Sequence, residues 1–224
     1  AVIVLDSMGV DAVGLNCSTG PDKMHEVVQR MLRVSSIPLV VKPNAGLPKL
    51  EDGKTTYDMD AEEFAREMFP LAQMGATILG GCCGTTPLHI QKMIQNLENE
   101  KAVLPDKKQI RALTNERNFL EIDLDGTFSI VGERINPTGK KNLQEELRQK
   151  KMDLVIDMAE EQVAKGAKIL DVNMGTNGID EKEMMLMAVN ELTLAVDVPL
   201  CIDSSYVDIV EEALRIYPGR ALIN

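Results

Sequence analysis

The sequence predicts an α/β fold made of two successive units, each a parallel sheet covered by helices. Three observations carry this prediction. Short apolar runs alternate with longer amphipathic stretches in both halves of the 224 residues, the rhythm of repeated strand–helix units. The strand runs are continuously apolar rather than alternating, as expected of strands buried on both faces. The rhythm also stops between about Asn99 and Phe128, where charges, Pro105 and turn residues take over.

In the first unit, Ala12–Cys17, Pro38–Pro43 and Ala76–Gly80 are predicted strands. A helix over Asp22–Val34 is entered through Pro21. A second helix, Asp60–Met74, is ended by Gly75, and a third runs from Thr86-Pro87 to about Glu98. In the second unit, strands are predicted over Phe128–Gly132, Ile169–Asn173, Pro199–Asp203 and Ala221–Asn224. Helices are predicted over most of Asn142–Lys165, ending near Gly166, and over Glu181–Val196 and Val207–Tyr217. The intervening segment is expected to be a linker that partly folds onto the second unit, with a hairpin turning at Asp125-Gly126.

Composition narrows the function. With 44% hydrophobic and 26% charged residues the chain is ordinary for a globular protein. A net charge of -11 argues against a nucleic-acid surface, which needs a basic stripe, and 3% aromatics offer few stacking platforms. No apolar run approaches the roughly 20 residues of a membrane helix. Ala1–Asp6 is apolar but has neither the basic flank nor the cleavage site of a signal peptide; it reads as a chain cut in mid-domain. A cytoplasmic location is therefore expected, where cysteines more often bind metal or catalyse than pair. The 13 methionines read as flexible core filler.

Polar residues gather where strands end, the place where α/β barrels put their chemistry. Cys17 follows the first strand, and Cys82 and Cys83 follow the third, flanked by glycines that let the backbone bend. Three convergent thiolates with one open position describe a catalytic zinc site. The same residues are also compatible with buried apolar cysteines or with a strained vicinal disulfide between Cys82 and Cys83. Cys201, inside an apolar strand, reads as core, and His25 and His89 as surface or structural residues. In the second unit Gly132–Asn136, Asp171, Asn173, Asp203 and Asn224 stand at strand ends. Carboxylates and amides converging there suit a ligand edge rich in N–H donors, although Asp and Asn are also ordinary turn residues. There is no GxGxxG, Walker loop or Ser-His-Asp set.

Two sets of motifs resemble known families. GVDAVGLNCSTGP, VVKPNAG and GATILGGCCGTTP are similar to the closing part of the homocysteine methyltransferase barrel. That resemblance implies Zn²⁺ held by Cys17, Cys82 and Cys83. VGERINPTG, AKILDVNMG, VPLCIDSS and RALIN resemble the pterin-binding methyltransferase barrel. It implies that Asp203 and Asn224 bind the pterin, with Asp171 and Asn173 lining the same pocket. The order of the two resembles the cobalamin-dependent methionine synthase family. The implied organisation is portions of two (β/α)8 TIM-type barrels, each incomplete: a homocysteine barrel over 1–98, a linker over 99–127 and a pterin barrel over 128–224. The implied reaction carries a methyl group from 5-methyltetrahydrofolate through cobalamin to zinc-activated homocysteine. No DxHxxG pattern is present, so cobalamin is expected from a module elsewhere, in cis or in trans. The alternatives are a homocysteine or other thiol methyltransferase with a different methyl donor, or a structural piece inactive alone. In a barrel, the strand ending at Pro43 lies beside both cysteine-bearing strands. Asn44 is therefore placed to flank the zinc and fill its fourth position without homocysteine; Pro-Asn-Ala-Gly is equally a good turn sequence.

Overall fold

The computed structural model describes residues 1–51, 53–105 and 110–224. Its contacts divide the chain into two compact units, Val2–Ile110 and Arg111–Asn224. The first contains helix α1 (Val2–Ser7), strand β1 (Val13–Asn16), a 3-10 turn Pro21–Lys23, α2 (His25–Arg33) and β2 (Leu39–Lys42). It continues with a hairpin, β3 (Pro48–Glu51) and β4 (Lys54–Tyr57), then α3 (Ala61–Met74), β5 (Ala76–Leu79) and α4 (Pro87–Leu97). Strands β1, β2 and β5 form one parallel sheet in that order, so β2 lies between the two cysteine-bearing strands. Helix α3 shows why these residues fold as they do. The Asp60 carboxylate caps it by accepting from Glu63 N–H at 2.8 Å, a gain of about 1 kcal/mol over alanine. Gly75 then ends it in the left-handed region, at φ 119°. Its Phe64, Met68 and Leu71 are fully buried with Leu39 and Val41 of β2.

The second unit contains β6 (Ala112–Thr114), β7 (Phe119–Glu121), β8 (Val131–Ile135), α5 (Lys141–Arg148) and α6 (Asp153–Ala164). After these come β9 (Ile169–Asn173), α7 (Glu181–Ala195), β10 (Leu200–Asp203), α8 (Val207–Ile216) and β11 (Leu222–Ile223). Strands β8, β9, β10 and β11 pair in parallel in that sequential order. Alternating strands and helices with parallel sheets make both units α/β, as the apolar runs predict. Buried methionines, among them Met68, Met174, Met184 and Met185, fill both cores. No helix among the described residues is long and apolar enough to cross a membrane.

Several elements differ from expectation, each for a local reason. The stretch Asn142–Lys165 is two helices, because the chain breaks at Lys150, which adopts φ 55°. Glu146 then reaches over to accept from Leu154 N–H at 2.6 Å and starts α6. The strand expected at Phe128–Gly132 lies at Val131–Ile135 instead; Phe128 is 95% exposed. The hairpin of the linker turns not at Asp125-Gly126 but at Asn115–Asn118, where the Asn115 side chain accepts from Arg117 N–H at 2.9 Å and from Asn118 N–H at 2.5 Å. Gly126 N–H does bond Asp123 O at 3.3 Å, but that turn joins no paired strands. The hairpin β3–β4 and helix α1 were not anticipated, and α2 is preceded by a 3-10 turn. Of the expected linker 99–127, residues 106–109 lie outside the described residues, and the part from Arg111 packs with the second unit.

That packing has one buried clasp. Leu113 and Leu120 cluster with Ile169, Cys201 and Leu222 of the sheet. Tyr217, 5% exposed, donates its hydroxyl to Thr114 O at 2.9 Å and accepts from Leu200 N–H at 3.2 Å. Burial pushes its pKa up to about 12. Tyr217→Phe strips both backbone groups of this partner while keeping the ring, so a loss of about 1–3 kcal/mol is expected. Urea unfolding should show a lower midpoint at unchanged slope.

Candidate functional sites

The first site is built where β1, β2 and β5 end. Each strand runs straight into a loop, and the loops bond to one another through their backbones. Cys17 N–H donates to Lys42 O at 2.9 Å, Cys82 N–H to Pro43 O at 2.7 Å and Ala45 N–H to Cys83 O at 2.9 Å. Asn44 N–H donates to Thr19 O at 2.9 Å. Cys17 and Ser18 both occupy the left-handed region, at φ 66° and 65°, a strained conformation for side-chain-bearing residues that clusters at functional sites.

The result brings three sulfurs together across a separation of 66 residues. Cys17 Sγ lies 3.6 Å from Cys83 Sγ, and Cys82 Sγ lies 3.8 Å from Cys83 Sγ. All three ligand atoms fall within 4.8 Å of one another. A tetrahedral ion with Zn–S bonds of about 2.3 Å sets its sulfurs about 3.8 Å apart, so the donor set fits a zinc ion in both chemistry and spacing. All four cysteines are free. Crowding splits the thiols: the Ser18 N–H, and then the Cys83 and Cys82 side chains, lower the Cys17 pKa. The Cys82 thiol is raised, first by its hydrogen bond with Cys17 and then by burial.

Asn44 is 3% exposed and sits against this cluster. Its Oδ1 accepts from Cys83 N–H at 3.2 Å. Tyr57, at the end of the unanticipated hairpin, stands near the cluster, and the Cys83 side chain is the main reason its phenol pKa is raised. The Asp52-Gly53 dipeptide followed by Lys-Thr-Thr-Tyr was the sequence signal for that hairpin. His89 is structural: it caps α4 through Thr86 and bonds Met59 O at 3.1 Å. Buried His25 Nε2 and Thr19 Oγ1 have no hydrogen-bond partner among the described residues.

The second site lies along the ends of β9, β10 and β11. Asp171 and Asn173, two residues apart, face the same side and pair in register with Cys201 and Asp203. Asn173 Nδ2 donates to Asp203 Oδ2 at 2.9 Å, and Asn224 Nδ2 donates to Asp171 Oδ2 at 3.2 Å. The four predicted residues therefore form two hydrogen-bonded pairs. Asp203 and Asn173 are half-buried and Asn224 is exposed, whereas Asp171 is 5% exposed. Burial raises the Asp171 carboxyl above the usual range, against the hydrogen bond from Asn224. Cys201 is core, as expected, and burial, followed by the neighbouring Asp171 carboxylate, pushes its pKa far up. Glu181 was not anticipated: it accepts from Ser204 Oγ at 2.6 Å and fixes the turn after Asp203.

Residues 1–97 match the model of the homocysteine S-methyltransferase family, and residues 132–224 match that of the pterin binding enzymes. Methionine synthase of Mycobacterium tuberculosis is 30% identical over 228 residues, covering all of this chain and 19% of that protein. Methionine synthase of Mycobacterium leprae is 28% identical over 233 residues, with the same coverage. The chain thus spans about a fifth of the length of these curated relatives.

Proposed function

We propose, from a chain whose first part belongs to the homocysteine S-methyltransferases and whose second part belongs to the pterin-binding enzymes, paired as in the methionine synthases, that the protein methylates homocysteine with a methyl group from 5-methyltetrahydrofolate. The observation that supports this most directly is the meeting of Cys17, Cys82 and Cys83 within 4.8 Å. These cysteines would hold Zn²⁺ as thiolates. The metal would deprotonate homocysteine's thiol, whose free pKa is about 8.5, and so supply a nucleophile at neutral pH.

The protein's own residues set the geometry. Asn44 ties the Cys83 loop to the Cys17 loop. Its Oδ1 has a second lone pair beyond the one given to Cys83 N–H, and that lone pair would serve as the fourth, displaceable ligand before homocysteine arrives. In the second unit, Asp203 and Asn224 would hold the pterin's N–H donors and acceptors, with Asp171 and Asn173 orienting them. Cobalamin would carry the methyl group between the two sites, bound by a module outside these residues. Each unit would form part of a (β/α)8 barrel in a cytoplasmic enzyme.

The test uses the full-length protein with added cobalamin and labelled 5-methyltetrahydrofolate. Methionine should form with label from the folate, and omitting either folate or cobalamin should stop it. Equal methionine formation from another methyl donor, with folate and cobalamin both omitted, would overturn the proposal in favour of a different thiol methyltransferase.

A further inference from the structure

We infer that Lys42 binds the carboxylate of the thiol substrate, so that an amino-acid thiol is held at both ends, by its sulfur at the cysteine cluster and by its carboxylate on the neighbouring strand. The inference rests on the reading above that homocysteine's sulfur binds at the cluster.

Lys42 is the last residue of β2, the strand between the two that carry the cysteines. Its carbonyl accepts from Cys17 N–H at 2.9 Å, and the carbonyl of the next residue, Pro43, accepts from Cys82 N–H at 2.7 Å. Alternation along the strand fixes the direction of its side chain. Leu39 and Val41 point into the core with Phe64, so Val40 and Lys42 point to the opposite face of the sheet. On β1, Val13 and Leu15 pack on that same core, which puts Gly14 and Asn16 on the face of Lys42. A Cβ at Gly14 would fall 2.6 Å from Val40 Cβ, as residues sharing a face must. Asn16 pairs in register with Lys42. On the other side stands Gly80, where a Cβ would lie 3.2 Å from Lys42 Cγ and 3.8 Å from Cδ. The lysine stem thus runs across the space left by Gly80, at the foot of the Gly81–Cys83 loop.

The ammonium and the neighbouring Asn16 amide are both exposed. Neither side chain has an ion pair or hydrogen bond among the described residues, whereas Lys23 is taken by Asp22 at 3.3 Å and Lys49 by Asp58 at 2.8 Å. An ammonium with three donors on a flexible stem, beside an amide N–H₂, is a donor set suited to a carboxylate. Homocysteine's carboxylate is only a few bonds from its sulfur. A residue that shares a backbone hydrogen bond with Cys17 is therefore within reach of it.

Homocysteine and aminopropanethiol, its analogue without the carboxylate, would be titrated calorimetrically into the zinc-loaded full-length protein and its Lys42→Met variant, with no methyl donor present. Methionine keeps an unbranched stem over Gly80 and removes the ammonium. The Kd of homocysteine should rise about tenfold or more in Lys42→Met, and that of aminopropanethiol should be the same in both proteins. Equal homocysteine affinity at full zinc occupancy overturns the inference and leaves the zinc reading standing. Equal weakening of both thiols also overturns it, since Lys42 would then act on the charge of the metal centre. Loss of zinc from Lys42→Met alone overturns it too, making Lys42 a residue of metal retention. A wild-type protein that binds no zinc overturns both.

Discussion

Replacing Cys82 and Cys83 together with alanine should strip the protein of zinc and abolish homocysteine methylation. The three sulfurs come from loops separated by 66 residues in sequence, so no two neighbouring cysteines constitute the site. Zinc bound by a full set of ligands is worth on the order of 10–16 kcal/mol at pH 7. With two of three thiolates gone, the single remaining sulfur cannot compete with water or buffer for the ion. Each single Cys→Ser change at Cys17, Cys82 or Cys83 should lower zinc content measurably. Cys201→Ala should leave it unchanged, since Cys201 is buried in the second unit's sheet. Metal analysis after dialysis, alongside methyl transfer from methylcobalamin to homocysteine, reads both effects. Full zinc occupancy in the double variant would sink the assignment. Acid should release the metal, because protons compete for thiolates.

Much of this arrangement was legible in the sequence because strand ends are legible. The apolar runs around Val13–Asn16, Leu39–Lys42 and Ala76–Leu79 locate β1, β2 and β5 to within a residue or two. The polar residues that follow them are then fixed to one end of the sheet. Asp171, Asn173 and Asp203 follow in the same way from Ile169–Asn173 and Leu200–Asp203. What the sequence hid depends on backbone detail that periodicity does not carry. The hairpin β3–β4 has exposed positions on most of its length, so it has no apolar run to announce it, and Tyr57 was missed with it. The break between α5 and α6 rests on one left-handed lysine, Lys150, inside a stretch whose helical pattern continues across it. Strand order alone put Asn44 next to the cysteine-bearing loops. The hydrogen bond to Cys83 N–H that engages its oxygen emerges only from coordinates.

Asp203→Asn and Asn224→Ala should each weaken 5-methyltetrahydrofolate binding by roughly 1–3 kcal/mol, about 5- to 150-fold in Kd. Asp203 spends Oδ2 on Asn173 Nδ2, which leaves its other oxygen to accept from a ligand. An asparagine there replaces one acceptor with an N–H₂, so it loses either the Asn173 bond or the ligand bond. Asn224 is exposed at the end of β11 while its Nδ2 reaches Asp171. Alanine there removes the amide offered to the pterin and also a side-chain donor that steadies a carboxylate only 5% exposed. The second variant should therefore lose some stability as well, and thermal unfolding would separate that from affinity. Asn173→Ala provides the intermediate case: it frees Asp203 to rotate without removing either proposed pterin contact, and should cost less affinity than Asp203→Asn. Methyl transfer from free methylcobalamin to homocysteine should survive all three changes, because the cysteine cluster is built from the other unit. Binding titrations on the full-length protein, with that half-reaction as the internal control, decide it. Unchanged folate affinity in both Asp203→Asn and Asn224→Ala would remove these residues from the pterin site.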